Sequence, residues 1–193
     1  MPAIHSIAVF CGSRSGDSPA FAQAARALGH GLAEAGIRLV YGGGRVGLMG
    51  AVADAVLAAG GDVLGVIPEF LTRLEVAHTG LAEMVITDSM HSRKQRMFAE
   101  SDAFVSMPGG LGTLDETIEI ITWRQLGLHD KPVLLCDIDG SAAPLMGAID
   151  GVIANGFARP EIRDLFELVR GVPALLARLR ALPSGVAVPA ERL

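Results

Sequence analysis

Short apolar runs and amphipathic stretches alternate along almost the whole chain. Seven runs read as strands, over residues 6–11, 37–41, 62–67, 83–87, 103–107, 131–137 and 166–169. They are continuous in β-branched and aromatic residues rather than alternating apolar with polar, which is the pattern of strands covered on both faces. Between them the 3.6-residue spacing predicts helices over residues 19–35, 48–59, 90–101, 113–128, 142–154 and 172–182. Strand–helix alternation with short connections leads through right-handed crossovers to a doubly wound α/β sheet, parallel, with helices on both faces. Neither a repeat nor a linker interrupts it, so residues 1–182 are expected to form one domain. Residues 183–193, with Pro, Gly and Ser, are expected to be a flexible tail.

Composition narrows the function classes. With 193 residues, 50% of them hydrophobic and 19% charged, the chain can bury a core without disulfides or metals and is not disordered. No run of about 18 apolar residues escapes a charge or a glycine, so no membrane span is expected. A net charge of -5 offers no general attraction to nucleic acid. Cys11 and Cys136 sit in apolar runs and read as buried thiols of a reducing compartment, and the first residues have no export signal. The expectation is a cytoplasmic protein. Its five histidines show no metal spacing.

In a Rossmann-like sheet of this kind, ligands gather at the carboxyl ends of the strands, where loops turn into helix N-termini. Three turns at that edge stand out: CGSRSGDS at 11–18, YGGGRVGLMG at 41–50 and MPGGLGTLDE at 107–116. Glycines and small hydroxyls let backbone N–H groups approach an anion, and each helix start adds a positive dipole end. Together they point to a small molecule bearing phosphate. Gly42, Gly44 and Gly47 match the G-x-G-x-x-G dinucleotide fingerprint, but its acidic residue about 20 positions on, Asp62, opens the next strand at the wrong end for a ribose. A close-approach turn around a mononucleotide, or a tight strand–helix joint, fits better. With no G-K-[ST] in the chain, a nucleoside triphosphate P-loop is excluded.

The segment Pro108-Gly109-Gly110-Leu111-Gly112-Thr113-Leu114-Asp115-Glu116 is the most specific feature. Thr113 and Glu116 satisfy a capping box, which would make Glu116 a helix-start residue. Three glycines ahead of that cap exceed what a helix start needs, and a phosphate cradle is the favoured reading. On the following helix, Leu114, Ile118 and Ile121 form the stripe expected to face the core. Glu116, Glu119, Ile120 and Trp123 form a second stripe, expected to meet a partner subunit or a bound base. In MHSRKQRM at 90–97, Arg96 has Glu100 four residues on as a local partner. Arg93 and Lys94 have none, which marks them for a phosphate or a distant carboxylate.

Taken together, P-G-G-x-G-T-x-x-E at 108–116, M-x-x-R-K at 90–94, GGG-x-x-GLMG at 42–50 and ITWRQLGLHDKP at 121–132 resemble the LONELY GUY family from about residue 7 to 169. These are the cytokinin-activating phosphoribohydrolases, often mislabelled lysine decarboxylases. The resemblance implies hydrolysis of the N-glycosidic bond of prenylated adenosine 5′-monophosphates, giving the free base (a cytokinin) and ribose 5-phosphate. It implies a homodimer with active sites near the subunit boundary, and no metal or organic cofactor. Arg93 and Glu116 match the family's catalytic pair. Glu75, Lys94, Gly110, Leu111, Gly112, Thr113, Leu114, Asp115 and Thr122 match its substrate-contacting positions, with Asp115 standing where many members have Glu.

Three other functions stay open on the residues. One is a general AMP nucleosidase with no preference for a prenylated base. Another is a nucleotide or pterin-cofactor carrier on the same fold, which would not need Arg93 and Glu116. A dinucleotide oxidoreductase has only Gly42, Gly44 and Gly47 behind it. A pyridoxal-dependent decarboxylase would need a lysine anchor, and only Lys94 and Lys131 exist. Lys131 opens a strand at its amino end, away from the pocket edge.

Overall fold

All seven expected strands form, as β1 (Ser6–Phe10), β2 (Arg38–Tyr41), β3 (Val63–Pro68), β4 (Glu83–Thr87), β5 (Ala103–Ser106), β6 (Val133–Asp137) and β7 (Glu167–Arg170). The structure is a computed structural model that describes residues 4–72 and 77–182, so the expected tail at 183–193 lies outside the described residues. Every strand pairing is parallel, and the order across the sheet is β4-β3-β2-β1-β5-β6-β7. The chain winds outward from β1 to β4, then returns to the other side of β1 and winds outward again. The direction reverses between β1 and β5, and a ligand crevice is expected outside the carboxyl ends of those two strands.

Helices α1 (Pro19–Ala35), α2 (Gly47–Ala58), α3 (Met90–Ala99), α4 (Leu111–Gln125), α5 (Ala143–Ala154) and α6 (Val172–Ala181) connect the strands. The start of α1 shows why the sequence turns helical there. Ser18 caps it by accepting from the Ala20 N–H at 3.3 Å, and Pro19 occupies the first helical position, where its missing donor costs nothing. One face of the sheet is covered by α1, α2 and α6 through Leu28, Leu32, Val52, Val56, Leu175 and Leu179. The other is covered by α3, α4 and α5 through Met97, Phe98, Ile120, Ile121, Leu145 and Ile149. Two short 3-10 turns, Glu69–Leu71 and Pro160–Leu165, have no counterpart in the sequence pattern. The outermost strands β4 and β7 are largely uncovered, unlike the doubly covered inner ones.

Three expectations for α4 are corrected. The helix begins at Leu111 with Gly110 at its cap, so Thr113 lies inside the first turn and the Thr113–Glu116 capping box does not form. The stripe expected outside is divided: Ile120, at 3% exposure, and Glu116 are buried, whereas Glu119 and Trp123 are half-buried, Trp123 resting on the core while both border an outer groove. Of the stripe expected inside, Ile121 is buried, whereas Leu114 and Ile118 face outward together with Leu111. The buried face carries Thr113, Glu116 and Thr117, whose polarity disguised it. Thr117 donates its hydroxyl to the Thr113 carbonyl at 2.6 Å, which satisfies that group without apolar partners.

Asp62 lies at the amino edge of the sheet, where it pairs with Arg38 at 3.0 Å. It is therefore at the opposite edge from Gly42, Gly44 and Gly47, as its position before β3 implied. Among the described residues, no helix is long and apolar enough to cross a membrane.

Candidate functional site

The three glycine-rich turns meet at the reversal between β1 and β5, and backbone hydrogen bonds hold them together. Gly12, after β1, donates to the Pro108 carbonyl at 3.0 Å, and its own carbonyl accepts from Leu48 at 2.9 Å, at the start of α2. Gly47 permits this junction. Its backbone is left-handed, with φ of 65°, and a side chain there would run into the main chain of Ser13 and Arg14. The result is a cavity of about 720 Å³ lined by residues 12–16, Phe21, Leu48, residues 108–111 and Ser141. Helix α4 begins at its wall without a side-chain cap. The N–H groups of Leu111, Gly112 and Thr113 have no acceptor within the helix and are available to an anion.

A second cavity of about 210 Å³ shares Ser13, Gly110 and Leu111 with the first as a common wall. It is lined by apolar residues, including Met49, Leu71 and Met90, and by the buried pair Arg93 and Glu116. Arg93 comes from α3 and Glu116 from α4, and the guanidinium Nη2 stands 3.3 Å from the carboxylate Oε1. Its Nη1 points at the Met90 sulfur at 3.7 Å, while Nε is buried without a hydrogen-bond partner among the described residues. Gly42 lies beneath this guanidinium, and a β-carbon there would overlap it. The second turn is thus cut to make room for Arg93. Helix α3 is held in place by a true capping box, in which Ser89 accepts from the Ser92 N–H at 3.1 Å and the Ser92 hydroxyl accepts from the Ser89 N–H at 3.2 Å.

The distant carboxylates expected for the two unpartnered cations are those of α4. Lys94 Nζ is 2.7 Å from Asp115 and 3.1 Å from Glu119. Burial pulls the Lys94 pKa down, but its hydrogen bonds to Asp115 and Glu119 outweigh that and raise it above the ordinary lysine value. Arg96 pairs with Glu100 at 2.8 Å, as its spacing predicted.

The expected site residues therefore separate into groups. Arg93, Glu116 and residues 110–113 share one cavity. Asp115 and Thr122 line an outer groove on α4 with Leu111, Leu114, Ile118, Glu119 and Trp123. The Thr122 hydroxyl is already engaged by the Ile118 carbonyl at 2.8 Å. Lys94 bridges the helices by binding Asp115 and Glu119. Glu75 lies outside the described residues. Ser13, Arg14 and Gly42 were not singled out as site residues, although two of the glycine-rich turns contain them.

A family model described as "Possible lysine decarboxylase" matches residues 49–179. A probable cytokinin riboside 5′-monophosphate phosphoribohydrolase of Oryza sativa subsp. japonica is 48% identical over 159 residues, covering 82% of this chain and 71% of that protein. A cytokinin riboside 5′-monophosphate phosphoribohydrolase of Rhodococcoides fascians is 41% identical over 181 residues, 93% of this chain and 91% of the relative. Among solved structures, the molybdenum cofactor binding protein of Rippkaea orientalis superposes with a TM-score of 0.69 at 21% identity, over 91% of this chain and 95% of that one. At that identity the likeness concerns the fold alone.

Proposed function

This chain belongs to the LONELY GUY family of cytokinin riboside 5′-monophosphate phosphoribohydrolases, and from that premise we propose how its residues divide the work. The enzyme hydrolyses the N-glycosidic bond of adenosine 5′-monophosphates, prenylated ones included, to the free base and ribose 5-phosphate. The observation that carries the assignment of roles is the buried Arg93–Glu116 pair in a cavity that shares a wall with the glycine-turn cradle. The cradle takes the phosphate, which puts the anomeric carbon near the pair. As the bond breaks, its electrons leave with the base nitrogen and positive charge develops on the sugar; water adds its oxygen to the anomeric carbon, and the proton it loses balances the one taken up by the departing base. The Glu116 carboxylate stabilises that charge and orients the water. Arg93 stabilises charge on the departing base and holds Glu116; an always-charged guanidinium is a poor proton donor, so its help is electrostatic.

The decarboxylase description in the family model does not fit the lysines. A pyridoxal anchor needs an accessible amine that loses its proton readily. Lys94 is held by two carboxylates that raise its pKa, and Lys131 is buried before β6, at the sheet edge opposite the turns. The two buried cysteines, Cys11 and Cys136, suit a reducing, cytoplasmic setting.

Product chromatography tests the activity. Incubation with AMP, or with isopentenyladenosine monophosphate, is expected to give free base and ribose 5-phosphate in equal amounts. Both nucleotides recovered intact after long incubation would overturn the reading. Relative rates on the two would separate a cytokinin-forming enzyme from a general AMP nucleosidase.

A homodimer completes the proposal. The outward face of α4 carries Leu111 at 85% exposure and Ile118 at 43%, with Leu114 between them, one contiguous apolar stripe of the kind monomers rarely leave open. A two-fold axis would bring this stripe onto its copy, with Asp115 and Thr122 at the boundary. Ile118→Arg is expected to shift the protein to monomer in sedimentation at several concentrations, with activity falling alongside. A wild type that is monomeric at tens of micromolar and fully active would remove the dimer from the mechanism.

A further inference from the structure

The loop between α4 and β6 carries two buried polar side chains that the site described above does not use, His129 at 4% exposure and Lys131 at 5%. Each takes hold of a helix carbonyl. Lys131 Nζ donates to the Phe98 carbonyl of α3 at 2.7 Å, and His129 Nε2 donates to the Ile120 carbonyl of α4 at 2.9 Å. A packed aromatic cluster joins the two contacts. The Lys131 ammonium stands 4.0 Å from the centre of the Phe98 ring, and Trp123 of α4 meets the same ring edge-on at 5.4 Å. His129 packs edge-on against Phe98 and Phe104 at 5.3 and 5.6 Å. Burial lowers the pKa of both side chains. A neutral His129 with its proton on Nε2 agrees with the absence of a partner for Nδ1 among the described residues.

Removing an ammonium from water is costly, and an apolar side chain of similar length would fill this space without that cost. What an apolar side chain would not supply is a directed bond to α3. Helices α3 and α4 are the two that bring Arg93 to Glu116 and Lys94 to Asp115 and Glu119. The loop holds the same helices about one turn further along, since Phe98 follows Arg93 by five residues and Ile120 follows Glu116 by four. A slide or rotation of α3 against α4 would break the Lys131 contact and move Arg93 off Glu116 together.

We propose that Lys131 and His129 are positioning residues: they clip α3 to α4 through the Phe98 and Ile120 carbonyls and so set the approach of Arg93 to Glu116 on which turnover depends. The proposal rests on the catalytic reading of that pair. Displacements near 1 Å cost about a hundredfold in rate, so a partial loosening is expected to cost about tenfold.

Lys131→Met retains the apolar stem and removes the ammonium. The variant is expected to fold, by circular dichroism, with kcat for AMP about tenfold below wild type and KM within about twofold, because the phosphate cradle is built from turns outside α3. In an Arg93→Ala background, Lys131→Met is expected to cause no further loss, since it acts through Arg93. A folded Lys131→Met with wild-type kcat, or an equal loss in both backgrounds, would reduce Lys131 to a packing role and overturn the proposal. Should Lys131→Met fail to fold, His129→Leu removes the other arm and takes the same two-background test. A wild type inert on AMP would instead bring down the catalytic reading, and the clip with it.

Discussion

Glu116→Gln is expected to lower the turnover of AMP by about a hundredfold or more, the scale on which one preorganised electrostatic group contributes to a transition state. The amide has the shape of the carboxylate and can still accept from Arg93, but it cannot balance positive charge on the sugar. Arg93→Ala is expected to lose turnover on the same scale. The two side chains face each other at 3.3 Å, so their losses should not add in the double variant. Stability responds as well, because breaking a buried ion pair costs about 3–5 kcal/mol when one charge is left alone. Rates therefore have to be compared on material shown to be folded by melting curves. The capping role that would have explained Glu116 without catalysis is gone, since Gly110 and not Thr113 caps α4. Wild-type turnover in folded Glu116→Gln would make the pair a structural one.

The sheet was largely legible in the sequence, and the reason is physical. A strand buried on both faces leaves little room for polar residues, so the interiors of β1, β2, β3, β5 and β6 appear as apolar runs, with Ser6, Arg38, Ser106 and Asp137 only at strand ends. The glycine turns were legible too, because few other roles call for three glycines before a helix. Helix α4 was misread in its facing, and the error lies where function overrides the hydrophobic rule. Its inner face gives positions to Thr113, Glu116 and Thr117, while its outer face holds Leu111, Leu114 and Ile118. Periodicity finds two stripes on such a helix but does not say which meets the sheet. Spacing also showed only that Arg93 and Lys94 lacked local partners. That α4 supplies both partners is a tertiary fact, as are the space Gly42 leaves for Arg93 and the bonds of His129 and Lys131.

Adenosine is expected to be cleaved at least about a thousandfold less efficiently than AMP. The phosphate is remote from the bond that breaks, so its binding energy serves to hold the anomeric carbon at the pair, and removing it lowers kcat/KM. Hydrogen bonds to a charged group contribute about 1.5–3 kcal/mol each, and two or three of them account for a loss of that size. The donors expected to supply them are the N–H groups in the first turn of α4, which no side chain caps. Leu111→Pro tests this directly. It deletes one N–H at the first helical position, where proline is tolerated, and Gly110 before it is already extended, as a residue preceding proline prefers. The expected result is a loss of about tenfold in kcat/KM for AMP and almost none for adenosine. Leu111→Ala controls for the apolar side chain, whose removal from the outer stripe would affect both substrates alike. Equal turnover of nucleoside and nucleotide by the wild type, or equal losses for both in Leu111→Pro, would take the glycine turn out of the mechanism.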